Sequence, residues 1–170
     1  MFKLFRGNPK SIEDRCQNAV RTLLLFNNLK PVGDVENFKL RELVRLKLME
    51  ETKVVHEINY MKFFSIRFNL ARLKEPYKDR IKNLFENNWF EEAHQIPGAI
   101  DDSEMFERLD YYSNVAFVKK DLLAIEYGLG EAFQSSLLMF GSDAVKIAGS
   151  QIFAEISGEL AEFFREQKIV

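Results

Sequence analysis

The most regular pattern of apolar and polar residues lies at the C-terminal end of the chain. After Asp143, which is suited to cap a helix, five apolar residues follow at steps of three, four and seven: Val145, Ile152, Ile156, Leu160 and Phe163. This spacing predicts a helix with one apolar face. A neighbouring side carries only small residues, which would let a second backbone approach closely: Ala144, Ala148, Gly158 and Ala161.

The N-terminal third contains two further helix starts. Ser11 is followed three residues later by Asp14, which makes an imperfect capping box, and apolar residues then recur at helical spacing. A cluster of turn-forming residues predicts the end of this helix: Asn27, Asn28, Pro31 and Gly33. Asp34 is suited to cap the next helix, which the sequence predicts over residues 35–53.

Two segments in the middle of the chain alternate apolar and polar residues. Residues 44–48 and 64–70 show period two, which is typical of strands. No turn-forming residues flank them, and a helix that is buried on several sides gives the same pattern, so we favour helix for both. The predicted fold class is all-α, an irregular bundle of about five to seven helices; the alternative is α+β with a small sheet from 44–48 and 64–70. Residues 1–170 are predicted to form one helical domain, with residues 1–10 as a flexible or loosely packed tail.

Proline and asparagine mark the joints predicted in the middle of the chain. Pro76 suits the first turn of a helix. The pair Asn87 and Asn88 then predicts a break, after which residues 89–96 form a short, exposed helix of their own. Together they predict a hairpin of two helices.

Glycine marks the joints predicted further along. We expect the next helix to open at Asp102 or Ser103 and to break or bend where Gly128 and Gly130 occur. The helical pattern continues beyond this bend and closes at Gly141.

Phenylalanine is the unusual feature of the composition, with 16 among 170 residues. This number predicts a thick core of apolar rings; the alternative is a Phe-lined pocket for an apolar ligand or a haem.

Cys16 is the only cysteine, which excludes an intrachain disulfide, and we expect it to be a small buried apolar residue. The N-terminus lacks the features of a signal peptide, and no apolar run approaches the roughly 18 residues that indicate a membrane span. The chain is therefore predicted to be soluble and cytoplasmic.

Charge is polarised along the chain. Residues 1–85 hold 18 Lys and Arg against 10 Asp and Glu, whereas residues 86–170 hold 6 against 16. This asymmetry predicts either attraction between the two halves or a surface for a partner. Nucleic acid is one alternative partner, with five candidate phosphate contacts: Arg41, Arg45, Arg67, Lys74 and Lys78. Tyr60 and Tyr77 are candidates for stacking, but interleaved acids and a pI near 5.8 weigh against nucleic acid.

Metal chemistry has one candidate motif. Glu91 and His94 are three residues apart, the spacing that di-iron carboxylate bundles use on two helices. The only other histidine, His56, is preceded at that spacing by Lys53, a cation that opposes metal binding. We therefore predict no metal and no cofactor, and expect His94 to stabilise the negative end of a helix dipole.

No catalytic arrangement stands out, so a non-catalytic role is favoured. We predict a protein that binds another protein, as a regulator, adaptor, immunity-type inhibitor or assembly factor, with self-association as the nearest variant. Trp89 and Phe90 are the candidate anchors, because aromatic residues dominate the binding energy of interfaces. The same basic residues named above for nucleic acid are candidates for contacts with a protein partner.

Overall fold

The computed structural model describes residues 11–31, 33, 35–167 and 169, and in these residues every regular element is a helix. Seven helices follow one another there: α1 (Ile12–Asn27), α2 (Phe38–Arg45), α3 (Glu51–Leu70), α4 (Tyr77–Gln95), α5 (Asp102–Val118), α6 (Leu122–Ser136) and α7 (Asp143–Glu166). The predicted all-α fold is confirmed. The predicted tail at residues 1–10 and the predicted cap at Asp34 lie outside the described residues. Within the described part, no helix combines the length and apolar character needed to cross a bilayer.

Helix α3 is the centre of the bundle and explains the strand-like pattern. Fifteen of its 20 residues are buried, on all sides of the helix, so apolar residues need not form a stripe. The alternative small sheet is wrong: residues 64–70 lie inside α3, and residues 44–48 span the end of α2 and the turn after it.

Helices α4 and α5 flank α3 in opposite directions. Phe63 packs against Trp89 while Arg67 pairs with Glu86, so α4 runs antiparallel to α3. In contrast, Glu57 pairs with Arg108 and Phe64 packs against Tyr112, so α5 runs parallel to α3. The start of α4 and the end of α5 therefore lie beside the C-terminal half of α3.

The first helix begins and ends where the sequence predicts. The Asp14 amide donates to the Ser11 hydroxyl at 3.0 Å and the Ser11 amide donates to the Asp14 carboxylate at 3.1 Å, which confirms the capping box. Asn28 ends the helix with a φ of 32°, a left-handed conformation that Asn tolerates. Cys16 is buried as expected, and this burial raises the pKa of its thiol.

The helix predicted over residues 35–53 is divided in the structure. Asn37 caps α2 by accepting from the Lys39 amide at 2.9 Å, and α2 ends at Arg45. Lys47 has a φ of 58°, which a continuing right-handed helix does not allow. The chain turns there before α3 begins.

The predicted break at Asn87 and Asn88 is wrong, because α4 runs unbroken from Tyr77 to Gln95. The Asn88 side chain donates to the Leu84 carbonyl of the preceding turn at 2.7 Å, so it does not compete with the helix. Burial of Phe85 and Trp89 on either side of the pair holds the helix together. Tertiary packing outweighs the weak helix propensity of asparagine here.

The predicted break at Gly128 and Gly130 is also wrong, since both glycines lie inside α6. The chain breaks earlier, where Asp121 caps α6 by accepting from the Ala124 amide at 2.9 Å. Gly130 instead allows close packing: a Cβ there would lie 2.5 Å from the backbone oxygen of Lys146 on α7.

The small residues of α7 do not all serve the close packing predicted for them. Ala148 is buried and Gly149 lies against Phe133 of α6, where a Cβ would come within 2.5 Å of that side chain. Gly158 and Ala161, in contrast, are exposed. Asp143 is the first residue of α7 and Ser142 occupies the cap position.

Candidate functional site

A surface groove lies between α3, α4 and α5. Its volume is about 350 Å³. Phe64 and Ala116 form a buried floor, and the half-buried Phe68 lies beside them. Phe117, near the C-terminal end of α5, stands at the rim. We call this feature the basic groove, for the charges described next.

Three cations and one acid line the basic groove: Arg67, Lys78, Lys82 and Asp79. The Arg67 Nε atom lies 2.8 Å from a Glu86 carboxylate oxygen, at ion-pair distance, and the Arg67 guanidinium lies 5.8 Å from the Phe63 ring. A further guanidinium, that of Arg72, lies 5.2 Å from the ring of Phe68, within the range of a cation–π contact. The groove therefore combines aromatic walls with an excess of positive charge.

Exposed apolar side chains lie close to Phe117 along the chain. Phe117 is 90% exposed and Val118 71% exposed at the end of α5, and Leu123 is 77% exposed at the start of α6. Lys119 and Lys120 lie between these apolar residues in the chain. Single exposed apolar residues are ordinary, but an exposed Phe117 at the rim of a groove with an apolar floor indicates an interaction site.

A second cavity, of about 300 Å³, has the opposite charge. It lies between α3, α7 and the segment from the end of α1 to the start of α2, and three carboxylates line it: Glu36, Glu155 and Glu159. Lys62 is the only cation among the described residues of its lining and pairs with Glu36 at 2.9 Å. At 3.6 residues per turn, Lys62 and Arg67 are about 140° apart around α3. The basic groove and the acidic cavity thus flank different sides of the central helix.

The structure separates the five basic residues predicted to contact a partner. Arg67 and Lys78 both line the basic groove, and Lys74 is exposed between α3 and α4. Arg41 and Arg45 lie on α2 instead, where Arg41 donates to the Val35 carbonyl at 2.7 Å and Arg45 pairs with Glu42.

Two of the four aromatic residues singled out by the sequence are fully buried. The prediction of Trp89 as an exposed anchor is wrong: its side chain is fully buried, with its ring centroid 4.3 Å from that of Phe63. Phe90 is half-buried. Tyr60 is fully buried, with its hydroxyl donating to the Asp101 carbonyl at 2.9 Å, so it cannot stack on a base; Tyr77 is half-buried.

The candidate metal ligands occupy ordinary positions. Glu91 and His94 are exposed on α4, and the His94 Nε2 atom lies 2.9 Å from the Asp102 carboxylate at the start of α5. His94 is in the last turn of its helix, as expected. His56 is buried on α3, and its Nε2 atom has no hydrogen-bond partner among the described residues. The described part of the chain contains no group of three or more metal-ligating side chains.

One buried acid was not singled out from the sequence. Glu57 on α3 accepts hydrogen bonds from the Tyr112 hydroxyl and from Arg108 Nε, the latter at 3.1 Å. Burial raises the pKa of the Glu57 carboxyl to about 7, although Tyr112 and Arg108 act in the opposite direction. The Glu104 carboxylate on α5 raises this pKa further. These contacts join α3 to α5.

The two oppositely charged halves of the chain pair with each other only sparsely. Of eight ion pairs among the described residues, two join a residue before position 86 to one from 86 onward: Arg67–Glu86 and Glu57–Arg108. Ion pairs between the two halves therefore involve few of the charged side chains. Charged surface remains for contacts with a partner.

The sequence reasoning missed most of the basic groove. Phe64, Phe68, Phe117 and Lys82 were not singled out, because they come from three helices whose packing a sequence does not give. One local signal was present: Phe117 and Val118 directly precede Lys119 and Lys120.

Comparison of the chain with known protein families, with curated proteins and with solved structures finds no match. The site is therefore interpreted from its own geometry.

Proposed function

We propose that this chain is a non-catalytic helical protein that acts by binding another protein through the basic groove. The observation that carries the proposal is Phe117, an aromatic side chain 90% exposed at the rim of a groove lined by Phe64 and Phe68. Leaving such a side chain in water is unfavourable, and a partner that covers it gains that free energy. Aromatic and arginine side chains are also those that dominate interface binding energy. We propose that this binding takes place in the cytoplasm.

Binding of an apolar small molecule is the second candidate, and it is favoured by the same aromatic walls. The groove volume, about 350 Å³, lies at the lower end of the range of small-molecule pockets, about 300–1,000 Å³. Neither the basic groove nor the acidic cavity is lined by a histidine, so a haem has no histidine ligand at either place. The cationic rim also suits a partner with charge better than a purely apolar ligand.

Capture of a partner from the native host tests the proposal. We expect the immobilised full chain to retain a protein in constant proportion, and Phe117→Ser to lose it, because the substitution removes the exposed ring from the rim. Phe140→Ser is the matched control. Phe140 is 73% exposed in the connection between α6 and α7, whereas Phe117 lies shortly before the start of α6. Quantitative mass spectrometry of the retained proteins gives the readout.

Two results would contradict the proposal. One is retention of the same protein by wild type and Phe117→Ser alike. The other is recovery of the chain without any protein but with an apolar small molecule, which would favour the second candidate.

A further inference from the structure

Resting on the proposed function, we infer that the occupant of the basic groove is an acidic amphipathic helix of the partner protein. Its apolar face would cover Phe64, Phe68 and Phe117, and its carboxylates would face Lys78 and Lys82. The groove combines the two features that such a helix requires, an apolar floor and a cationic rim.

The negative charge inferred for the occupant follows from the residues that line the groove. Among the described residues, three cations stand against the single acid Asp79, and of these cations only Arg67 has a described carboxylate at ion-pair distance, Glu86 at 2.8 Å. The acidic cavity on another side of α3 has the reverse balance, with three carboxylates and one lysine. The basic groove and the acidic cavity thus have opposite charge balances, and a partner of negative charge gains both association rate and specificity at the groove.

The helical form of the occupant follows from the architecture of the groove. The described residues contain no strand, so they offer no sheet edge to which an extended segment could add. Parallel α3 and α5 and antiparallel α4 instead leave an apolar channel between helices, the setting in which an amphipathic helix buries its apolar face.

The experiment uses a labelled synthetic peptide as the probe. The peptide carries leucines on one helical face and glutamates on the other, and is about 20 residues long, since shorter isolated helices are only marginally stable. Fluorescence anisotropy with the full chain should show saturable binding that weakens as salt screens the charges. A peptide with lysine in place of every glutamate should not bind.

Matched variants of the chain locate the binding. The double substitution Lys78→Glu with Lys82→Glu should weaken peptide binding by about tenfold or more, since like charges then face each other. Lys39→Glu with Lys53→Glu makes the same change of charge at exposed positions on α2 and α3 outside the groove and should leave the affinity nearly unchanged. Phe117→Ser should weaken binding at low and high salt alike. Circular dichroism and the unfolding midpoint confirm that each variant is folded.

Several outcomes would overturn the inference. If Phe117→Ser loses the captured partner but the acidic peptide does not bind, the inference fails while the proposed function stands. If single-stranded RNA or vesicles with anionic lipid bind in place of the peptide, and the groove variant abolishes that binding, the occupant belongs to another class. If light scattering shows dimers that only the groove variant dissociates, the occupant is a second copy of this chain.

Discussion

Replacement of Trp89 by alanine should lower the free energy of unfolding by about 3–5 kcal/mol, the range expected for removal of a large buried aromatic side chain. The indole is fully buried, and ring contacts with Phe63 at 4.3 Å and Phe90 at 5.3 Å surround it. Truncation leaves a cavity between α3 and α4 that neighbouring helices only partly fill. Urea unfolding with unchanged slope provides the measurement.

Phe117→Ala is the matched control for Trp89→Ala. Phe117 is almost completely exposed, so its truncation should change the free energy of unfolding by no more than about 0.5 kcal/mol. The two aromatic residues would thereby separate into a core residue and a binding residue. A loss below about 1 kcal/mol for Trp89→Ala, too small for a large buried side chain, would contradict the buried position of Trp89.

The buried Glu57 should make the protein less stable as the pH rises from 5 to 8. Its carboxyl has a pKa of about 7 in the folded chain against the ordinary 4.5. Because the folded state holds this proton more tightly than the unfolded state, the stabilising contribution is fully present below pH 4.5 and is lost as the pH rises through 7. The difference corresponds to about 3 kcal/mol at most.

Glu57→Gln isolates this contribution, because glutamine stays neutral and has a similar shape. The difference in unfolding free energy, mutant minus wild type, should increase by about 2.5 kcal/mol between pH 5 and pH 8. Glu107→Gln is the control, since Glu107 is exposed to solvent on α5, and its difference should stay constant. A difference for Glu57→Gln that is independent of pH would show that the carboxyl does not bind its proton more tightly on folding.

Local signals in the sequence predicted the helix ends that local interactions determine. Ser11 and Asp14 bond to each other's backbone, and Asn28 adopts its left-handed conformation at the predicted end of α1. Asn88 and Gly130 gave equally strong signals for a helix break, but no break occurs at either residue. Both lie within helices that are stabilised by contacts with residues distant in the chain. Propensity is a weak guide where burial decides the outcome.

The candidate site was less predictable than the fold. Arg67 and Lys78 were identified from charge alone, but the groove needs Phe64 and Phe68 from α3 and Phe117 from α5. Their spacing along the chain does not show that these residues are neighbours. The packing of α5 parallel to α3 brings them together. In the sequence, Glu57 likewise resembles a surface residue, because only the packing of α5 on α3 brings Arg108 and Tyr112 to it.

The central claim is that the basic groove contacts the partner protein. Zero-length carbodiimide cross-linking of the captured complex tests it most directly, because this reagent joins lysines of the chain to carboxylates of the partner that form ion pairs with them. We predict cross-links from Lys78 and Lys82 to clustered acidic residues of one partner segment. Cross-links confined to Lys39 and Lys53, or to Glu155 and Glu159 beside the acidic cavity, would contradict it.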